Sequence, residues 1–207
     1  MATMSSNLPE KSSVEAEQRQ RILAAALEQL RSEGVHGLRV RSIAALAGCS
    51  TTGVYTWFGG KDGLLKALYS DGFDRFTAAL AEVRKTGGRT QLSELARAYR
   101  RWSIENPTHY RLMFGGLVPG LVAKASLDGV GLSSFGILVD AVQRTIDGGE
   151  LGPGDATGIA YHLWAGIHGY IDLAANRPMS MIGGDDELFE RGLVRLLDGL
   201  VREDQPS

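Results

Sequence analysis

Three hydroxyls, an aromatic ring and a cation lie close together in one short stretch of this chain. Ser50, Thr51 and Thr52 are consecutive, Tyr55 follows Thr51 by one helical turn, and Lys61 comes soon after. Short hydroxyls can reach the base edges or phosphates of a duplex without clashing, and a lysine can pair with a phosphate. The residue types therefore favour hydrogen bonding to nucleic acid.

The residues around this stretch predict two short helices joined by a tight turn. An apolar stripe that includes Ile43 and Ala47 ends just before Gly48. The Ser50 hydroxyl can then accept from the amide of Gly53 and begin a second helix. This order of elements is typical of a helix-turn-helix, whose second helix enters the major groove.

The second short helix has two distinct faces at helical spacing. Thr51, Thr52 and Tyr55 share an outward face, where a threonine methyl can also contact thymine. Val54 and Phe58 fall on the opposite face and are expected in the core. Only the outward face is then placed to contact a partner.

Two cations flank these helices. Lys61 begins the next, long helix, where free amides and its own charge suit one phosphate, and Arg41 lies at the start of the first short helix. An alternative without binding makes Ser50 only a cap, Tyr55 and Trp57 core residues, and Lys61 a solvated charge. No single residue separates these interpretations, but the joint pattern favours binding.

Charge is distributed unevenly along the 207 residues, whose net charge is −2. Residues 19–61 carry six cations and two anions, whereas residues 62–207 carry 15 cations and 19 anions. A nucleic-acid site must therefore be a local basic patch on an acidic body. The apolar fraction of 43% is ample for a core.

The chain shows no feature of an exported or membrane-spanning protein. Cys49 is the single cysteine, so no intrachain disulfide can form, which fits a reducing compartment. The N-terminus lacks an apolar segment, and no run of about 18 apolar residues exists. We expect a cytoplasmic protein without a membrane partner.

Helical spacing dominates the remaining sequence, and no segment alternates as a strand would. Residues 1–16 are aperiodic and are expected to be a disordered tail; an arm that reaches DNA is the alternative, although Lys11 is its only cation. A first helix ends at Gly34, and a long fourth helix runs from Lys61 to the glycines at 87–88. Glycine and Asn-Pro breaks separate further predicted helices near 91–105, 107–115, 117–125, 132–147, 154–175 and 186–202.

The segment at 19–68 resembles the DNA-binding domain of TetR-type transcriptional regulators. The residues that carry the resemblance are Ile43-Ala44, Ala47-Gly48, Ser50, Val54-Tyr55, Phe58, Lys61-Asp62 and Leu64-Leu65. The resemblance implies base or backbone contacts from the recognition helix, a phosphate contact from Lys61, and backbone contacts from the supporting helix. The implied contact residues are Val40, Arg41, Ser42, Ser50, Thr51, Thr52, Tyr55, Trp57 and Lys61. Gly53 offers no side chain for readout.

A second resemblance lies in the C-terminal part. Trp164-Ala-Gly-Ile-His168-Gly169 is similar to the Trp-x-x-x-His-Gly motif of one group of TetR-type C-terminal domains, and the segment at 106–114 fits the same group. The implied fold is all-α: a three-helix DNA-binding domain at 17–62 after the tail at 1–16, and a helical bundle for ligand binding and dimerisation at 63–207.

Aromatic residues with polar tips recur along the helix that carries this motif. Tyr161, Trp164, His168 and Asp172 lie three or four residues apart and therefore share one stripe. Plain core residues would give the same pattern, and only the resemblance favours a pocket for a small apolar or amphipathic ligand. Other residues that could line it are Trp102, Tyr110, Met113, Phe114 and Phe135.

Catalysis has little support in this sequence. His168 and Asp172 could hold a metal at i and i+4, but His162 lies on another face and no third ligand follows. The chain has no glycine-rich phosphate loop and no serine nucleophile motif. We therefore expect no enzyme, no metal and no cofactor.

The last predicted helix carries an apolar stripe wider than one core contact needs. Its residues are Leu188, Phe189, Gly192, Leu193, Leu196 and Leu197. Together with the helix at 154–175 it could form a four-helix interface between two subunits. A dimer would place two recognition helices about one DNA turn apart, on a pseudo-palindromic operator.

These expectations combine into a homodimeric regulator that binds double-stranded DNA, most simply a repressor that a small ligand releases. Within the same class, an activator or a ligand-independent regulator is the alternative. From another class, a structural module that binds DNA and only dimerises is also consistent with the sequence.

Overall fold

The protein is described by a computed structural model that covers residues 8–116, 129–176 and 186–201. Within these ranges every regular element is an α-helix, which confirms the all-α prediction. The helices are α1 (Leu8–Gly37), α2 (Val40–Leu46), α3 (Thr51–Phe58), α4 (Lys61–Ala81), α5 (Gly88–Glu105), α6 (Pro107–Phe114), α7 (Leu132–Asp147), α8 (Ala156–Asn176) and α9 (Asp186–Val201). The helix predicted at 117–125 lies outside the described residues.

Helix α1 is longer than the sequence predicted. Residues 8–16, expected in a disordered tail, form its first turns instead. Pro9 lies in the first turn of α1, where a backbone N–H would have no intrahelical acceptor. No glycine or further proline follows until Gly34. At Gly34 the backbone leaves the helical region (φ 70°, ψ −174°), so the predicted stop appears as a kink. Residues 1–7 lie outside the described part of the chain.

The first of two compact units comprises Met1–Gly72 and Pro107–Asp128. In its described part, α2 packs against both α1 and α3, and α6 packs against α1. The fully buried side chains of this core include Ile22, Ile43, Val54 and Leu64. Each such side chain contributes about 1.5–3 kcal/mol by its removal from water, so the short helices depend on this shared core for their stability.

The second unit comprises Phe73–Asn106 and Gly129–Ser207. Here α7 packs against α5 and α8, and α9 packs against α8 and α5. Its buried core includes Leu92, Val142 and Leu163. The division between the units falls inside α4, whereas the boundary predicted at residue 62 lies at the start of that helix. Among the described residues, no helix is long and apolar enough to cross a bilayer.

Candidate functional site

The start of α3 is built as the sequence predicted. Ser50 is its N-cap, in an extended conformation, and its Oγ accepts from the amide of Gly53 at 3.1 Å. At the other end, Gly59 adopts a left-handed conformation (φ 68°) and its amide donates to the Tyr55 carbonyl at 2.8 Å. Each end of this eight-residue helix therefore has a capping hydrogen bond.

The two faces of α3 separate as expected. Val54 is fully buried and Phe58 is 8% exposed, whereas Thr51 and Thr52 are exposed. Tyr55 and Trp57 are 56% and 40% exposed, so neither is the core residue that the alternative without binding requires. Large exposed rings beside exposed hydroxyls form a surface suited to a partner.

The ring of Tyr55 lies against the turn after α3. A Cβ at Gly60, where φ is +115°, would lie only 3.2 Å from the Tyr55 Cε1 atom. A side chain at position 60 would therefore both strain the backbone and crowd the ring. This glycine lets Tyr55 rest beside the turn while more than half of it remains exposed.

The start of α4 is tightly joined to the end of α3. A Cβ on Gly63 would lie 1.6 Å from the Phe58 carbonyl oxygen, so only glycine allows this approach. The contact fixes where α4 begins relative to the recognition face, and Lys61 is the first residue of α4. Lys61 is half-buried and lies at the start of α4, where the first backbone amides have no intrahelical acceptor. A cation beside such amides is suited to bind an anion.

The start of α2 depends on a residue that the sequence did not single out. Gln29 of α1 is only 3% exposed, and its Oε1 accepts from the backbone amide of Arg39, the residue that precedes α2, at 3.0 Å. This bond positions Val40, Arg41 and Ser42, of which Arg41 is exposed and the other two half-buried. The sequence feature that could have indicated this role is the position of Gln29, a polar residue among the apolar residues of α1.

Cations at this surface have no acidic partner within the described residues. Arg39, Arg41 and Lys61 form no ion pair there, whereas Arg31 pairs with Glu28 at 2.6 Å on the same α1 helix that supports them. Unpaired cations can neutralise phosphates and release their counterions without first breaking a salt bridge. The surface formed by α3, the start of α2 and the start of α4 is the candidate nucleic-acid interface.

A second candidate site is an aromatic cluster in the other unit. The Trp164 ring lies 5.2 Å from the His168 ring, nearly parallel to it at 24°. Tyr161 and Phe135 contact the same tryptophan, with centroid separations of 5.8 and 6.4 Å. The residues predicted to share one stripe of α8 therefore do lie together, and Phe135 reaches them from α7.

Tyr99 of α5 completes this cluster, although no sequence pattern indicated it. Its hydroxyl lies 2.7 Å from the Nδ1 atom of His168, and its ring is 4.8 Å from Phe76. Phe76 in turn contacts Trp102 at 5.0 Å, so Trp102 joins through a ring that was also missed. These contacts join residues far apart in the chain, which a local pattern cannot reveal.

The other predicted pocket residues belong to the first unit. Tyr110, Met113 and Phe114 belong to α6 in the first unit, where the Tyr110 and Phe114 rings are 5.3 Å apart. Tyr110 and Met113 are buried in that unit, and the Met113 sulfur lies close to Gly72. The predicted set thus divides into an α8-centred group and an α6 group.

The surroundings of His168 favour its neutral form. Burial lowers its pKa, because desolvation penalises the imidazolium, and the nearby Asp172 carboxylate opposes this with a smaller upward effect. His162 lies on another face, with Nδ1 2.9 Å from the Gly158 carbonyl oxygen. In the described residues no three His, Cys, Asp or Glu side chains are grouped as metal ligands.

Three residues of the predicted dimer stripe on α9 are largely covered within the single chain. Phe189, Leu193 and Leu197 are each 3–4% exposed and are buried within their own subunit. Phe189, for example, packs 5.2 Å from the Tyr170 ring. Their side chains have almost no surface left for a partner, because the apolar stripe covers α8 and α5 of the same chain. Leu188 and Leu196 remain half-buried, and Gly192 is exposed.

Comparison with known proteins places both sites in matched regions. A family model of bacterial regulatory proteins of the tetR family matches residues 22–68, which include α2, α3 and Lys61. A model of the tetracyclin repressor-like C-terminal domain matches residues 92–196, about half of the chain, including Tyr99, Trp164 and His168.

Individual relatives agree with these models. The chain is 28% identical to the HTH-type transcriptional regulator Rv1816 of Mycobacterium tuberculosis, over 88% of this chain and 92% of that protein. It is 29% identical to the HTH-type transcriptional regulator RutR of Escherichia coli, over 74% and 73%. A solved protein of unknown function from Rhodococcus sp. RHA1 is 32% identical, with a TM-score of 0.75 over 89% of this chain and 96% of that one.

Proposed function

The chain belongs to the tetR family of bacterial regulatory proteins and is a DNA-binding transcription regulator, and we propose that it acts as a homodimeric repressor which a small ligand releases from its operator. The observation that carries this proposal is the exposed face of α3. Its hydroxyls and rings are exposed beside cations that form no ion pair with the described residues, on a helix that is capped at both ends and packed on its inner face.

The proposed DNA contacts are those of the candidate interface. Thr51, Thr52, Tyr55 and Trp57 reach the major groove from α3, and Lys61 binds a phosphate at the start of α4. Ser50 contributes through its cap, which leaves its hydroxyl proton able to meet a phosphate. Val40, Arg41 and Ser42 position α2 on the backbone of the duplex.

The proposed ligand site is the aromatic cluster of the second unit. Tyr161, Trp164, His168 and Phe135 present ring faces with few charges, and Asp172 lies one turn from His168. Such a surface suits a small apolar or amphipathic molecule. Trp102 supports the cluster through Phe76.

Release follows from two subunit arrangements with different affinities for ligand and operator. A ligand that binds more tightly to the arrangement unsuited to DNA lowers operator affinity by the ratio of its two affinities. Two recognition helices about one DNA turn apart would read an inverted repeat, and a change in their spacing breaks that match.

Selection of bound duplexes from a random DNA pool tests the proposal. We expect enrichment of an inverted repeat at near-physiological salt. On that operator, Thr52→Ala should cost about 1–3 kcal/mol and relax one position. Lys61→Ala should weaken all sequences similarly and reduce the salt slope by about 0.9, as for one lost phosphate contact.

Lys85→Ala is the matched control, because Lys85 is an exposed lysine that lies outside the first unit. It should leave both operator affinity and salt slope unchanged. Weak binding without an enriched sequence, or equal effects of Lys61→Ala and Lys85→Ala, would contradict the proposed interface.

A further inference from the structure

The hydrogen bond between Tyr99 and His168 joins two helices at the centre of the aromatic cluster. The Tyr99 hydroxyl and the His168 Nδ1 atom are 2.7 Å apart, a short distance for a bond between an oxygen and a nitrogen. Tyr99 is only 5% exposed, and its ring is held between Phe76 at 4.8 Å and the His168 ring at 6.3 Å. The hydroxyl therefore has little freedom to turn elsewhere.

The chemistry of the two groups decides which one donates. A neutral imidazole has one N–H and one bare nitrogen, and the partner of one nitrogen selects the tautomer. The phenol O–H is the stronger acid of the two donors, and the bare imidazole nitrogen is the stronger base of the two acceptors. Tyr99 therefore donates to Nδ1, and the imidazole proton must lie on Nε2.

We propose that Tyr99 is a positioning residue that holds His168 as the neutral Nε2–H tautomer, so that the ligand of the aromatic cluster is a planar molecule with a hydrogen-bond acceptor at its edge. The ligand part rests on the proposed function, since it needs a ligand in this cluster. The tautomer part concerns the free protein and stands apart from DNA binding.

Ring geometry supports a planar ligand. The His168 ring lies nearly parallel to Trp164 and to Tyr99, at 24° and 19°. A donor on the edge of a ring in such a stack points roughly parallel to the faces of its neighbours, toward a molecule that lies beside that ring on the same face. A flat molecule that packs against Trp164 can then place a carbonyl oxygen or ring nitrogen toward the Nε2–H.

Charges around His168 agree with a neutral donor. His168 interacts with the Tyr99 hydroxyl from α5 and with the Asp172 carboxylate from its own helix. Asp172 favours the imidazolium, but burial opposes it more strongly. Protonation would also place a hydrogen on Nδ1, which would force the Tyr99 hydroxyl to reverse from donor to acceptor.

Long-range proton–nitrogen correlation spectra of histidine-labelled full-length protein test the tautomer. We expect the wild type to show His168 with a bare Nδ1 and a protonated Nε2, assigned by its loss in His168→Asn. In Tyr99→Phe, which keeps the ring but removes the hydroxyl, we expect a mixture of tautomers. The matched control Tyr69→Phe removes a hydroxyl from another buried tyrosine, 3% exposed, and should leave the His168 signals unchanged.

Two outcomes overturn the positioning role. One is a wild-type His168 with its proton on Nδ1. This result needs only the wild-type protein, so it is decisive even if Tyr99→Phe fails to fold. The other is a folded Tyr99→Phe whose His168 remains entirely in the Nε2–H form.

A pair of bicyclic probes tests the ligand class through the same His168 signals. Quinoline carries a ring-nitrogen acceptor, whereas indole carries only an N–H donor. We expect quinoline to shift the Nε2 resonance at about tenfold lower concentration than indole, the preference that a difference of ~1.4 kcal/mol gives. Tyr99→Phe should reduce this preference. Equal binding, an indole preference, or binding of neither probe at millimolar concentration overturns the ligand class.

These failures are distinguishable from failure of the proposed function. If the tautomer is confirmed and neither probe binds, the positioning role stands and the ligand class falls, whatever the DNA selection shows. If an inverted repeat is enriched but His168 carries its proton on Nδ1, the regulator stands and the role of Tyr99 falls.

Discussion

At the scale of single residues, environment decides what otherwise similar side chains do. Ser50, Thr51 and Thr52 are consecutive hydroxyls, yet only Ser50 is committed to its own backbone, by accepting from Gly53. The exposed threonines remain available to a duplex. Spacing was sufficient to predict this division, because cap and face both follow from helix geometry. It was not sufficient for Tyr99, whose partner is 69 residues away.

The lowered pKa of the half-buried His168 predicts a pH dependence of stability. Its pKa in the folded protein is lowered by burial, so on acidification the unfolded chain takes up a proton first, near its ordinary pKa of about 6.5. The unfolded state then binds more protons, and the free energy of unfolding falls as pH decreases. This contribution is complete above about pH 6.5 and is lost progressively below it.

Urea unfolding at several pH values between about 8 and 5 measures this loss. His168→Asn keeps an acceptor near the Nδ1 position but cannot titrate, so it should lose less stability on acidification than the wild type. His162→Asn removes an exposed histidine from the same helix and should behave as the wild type. Parallel pH curves for His168→Asn and the wild type would contradict the prediction.

At the scale of elements, local patterns predicted most helix positions, and long-range contacts explain the departures. The break at Asn106-Pro107 was predicted and lies between α5 and α6, because proline suits a first turn. Helix α5, however, begins at Gly88 rather than near 91. There the Glu150 carboxylate accepts from the Arg89 amide at 3.1 Å, across 61 residues. No local pattern predicts a cap supplied by Glu150, which lies far along the chain between α7 and α8.

Replacement by alanine should change stability in opposite directions at Gly63, in the junction between α3 and α4, and at Gly53, near the start of α3. Gly63→Ala would place a methyl group against the Phe58 carbonyl, so it should destabilise the protein by about 3 kcal/mol. The methyl group of Gly53→Ala would lie 3.6 Å from the Ser50 Oγ, an ordinary contact distance. This substitution should stabilise the protein by about 0.5–1 kcal/mol, because alanine loses less backbone entropy on folding than glycine.

Denaturant midpoints of the two variants compare these effects directly. Gly63→Ala should also weaken operator binding, since the junction fixes Lys61 relative to α3. A Gly63→Ala protein as stable as Gly53→Ala would show that the junction can relax, and that its geometry does not require glycine.

At the scale of the whole molecule, burial of the α9 stripe leaves other apolar residues of α8 and α9 as candidates for the dimer interface. The apolar side chains exposed on α8 and α9 include Val194, at 52%, and Leu173, at 48%. A Cβ on Gly166 would lie 2.9 Å from Leu196, so α8 and α9 already approach closely within one subunit. The sequence pattern showed an excess of apolar surface but could not assign residues to core or interface, because both follow the same helical spacing.

Substitution of Val194 tests the proposed dimer. Val194→Glu should raise the dimer dissociation constant at least about tenfold, by burying a charge in an apolar contact, while the helical content remains. Leu193→Glu should instead destabilise the subunit by about 3 kcal/mol or more, because Leu193 is a core residue. Sedimentation and thermal unfolding distinguish the two effects.

Ile104→Glu is the control for Val194→Glu. Ile104 is equally apolar and 61% exposed, but it lies on α5. It should leave the association state unchanged. A Val194→Glu protein that sediments as the wild type would exclude this face of α9 as the subunit contact.

The separation of the two faces of α3 has a consequence for how such a protein can diverge. Val54 and Phe58 are core residues, whereas Thr51, Thr52 and Tyr55 are exposed. The residues proposed to determine binding preference are therefore different from those that form the core. Substitutions of the exposed threonines are expected to cost little stability, so related proteins can change their target sequences one step at a time. Duplicated copies of this gene could acquire separate regulons before their folds diverge.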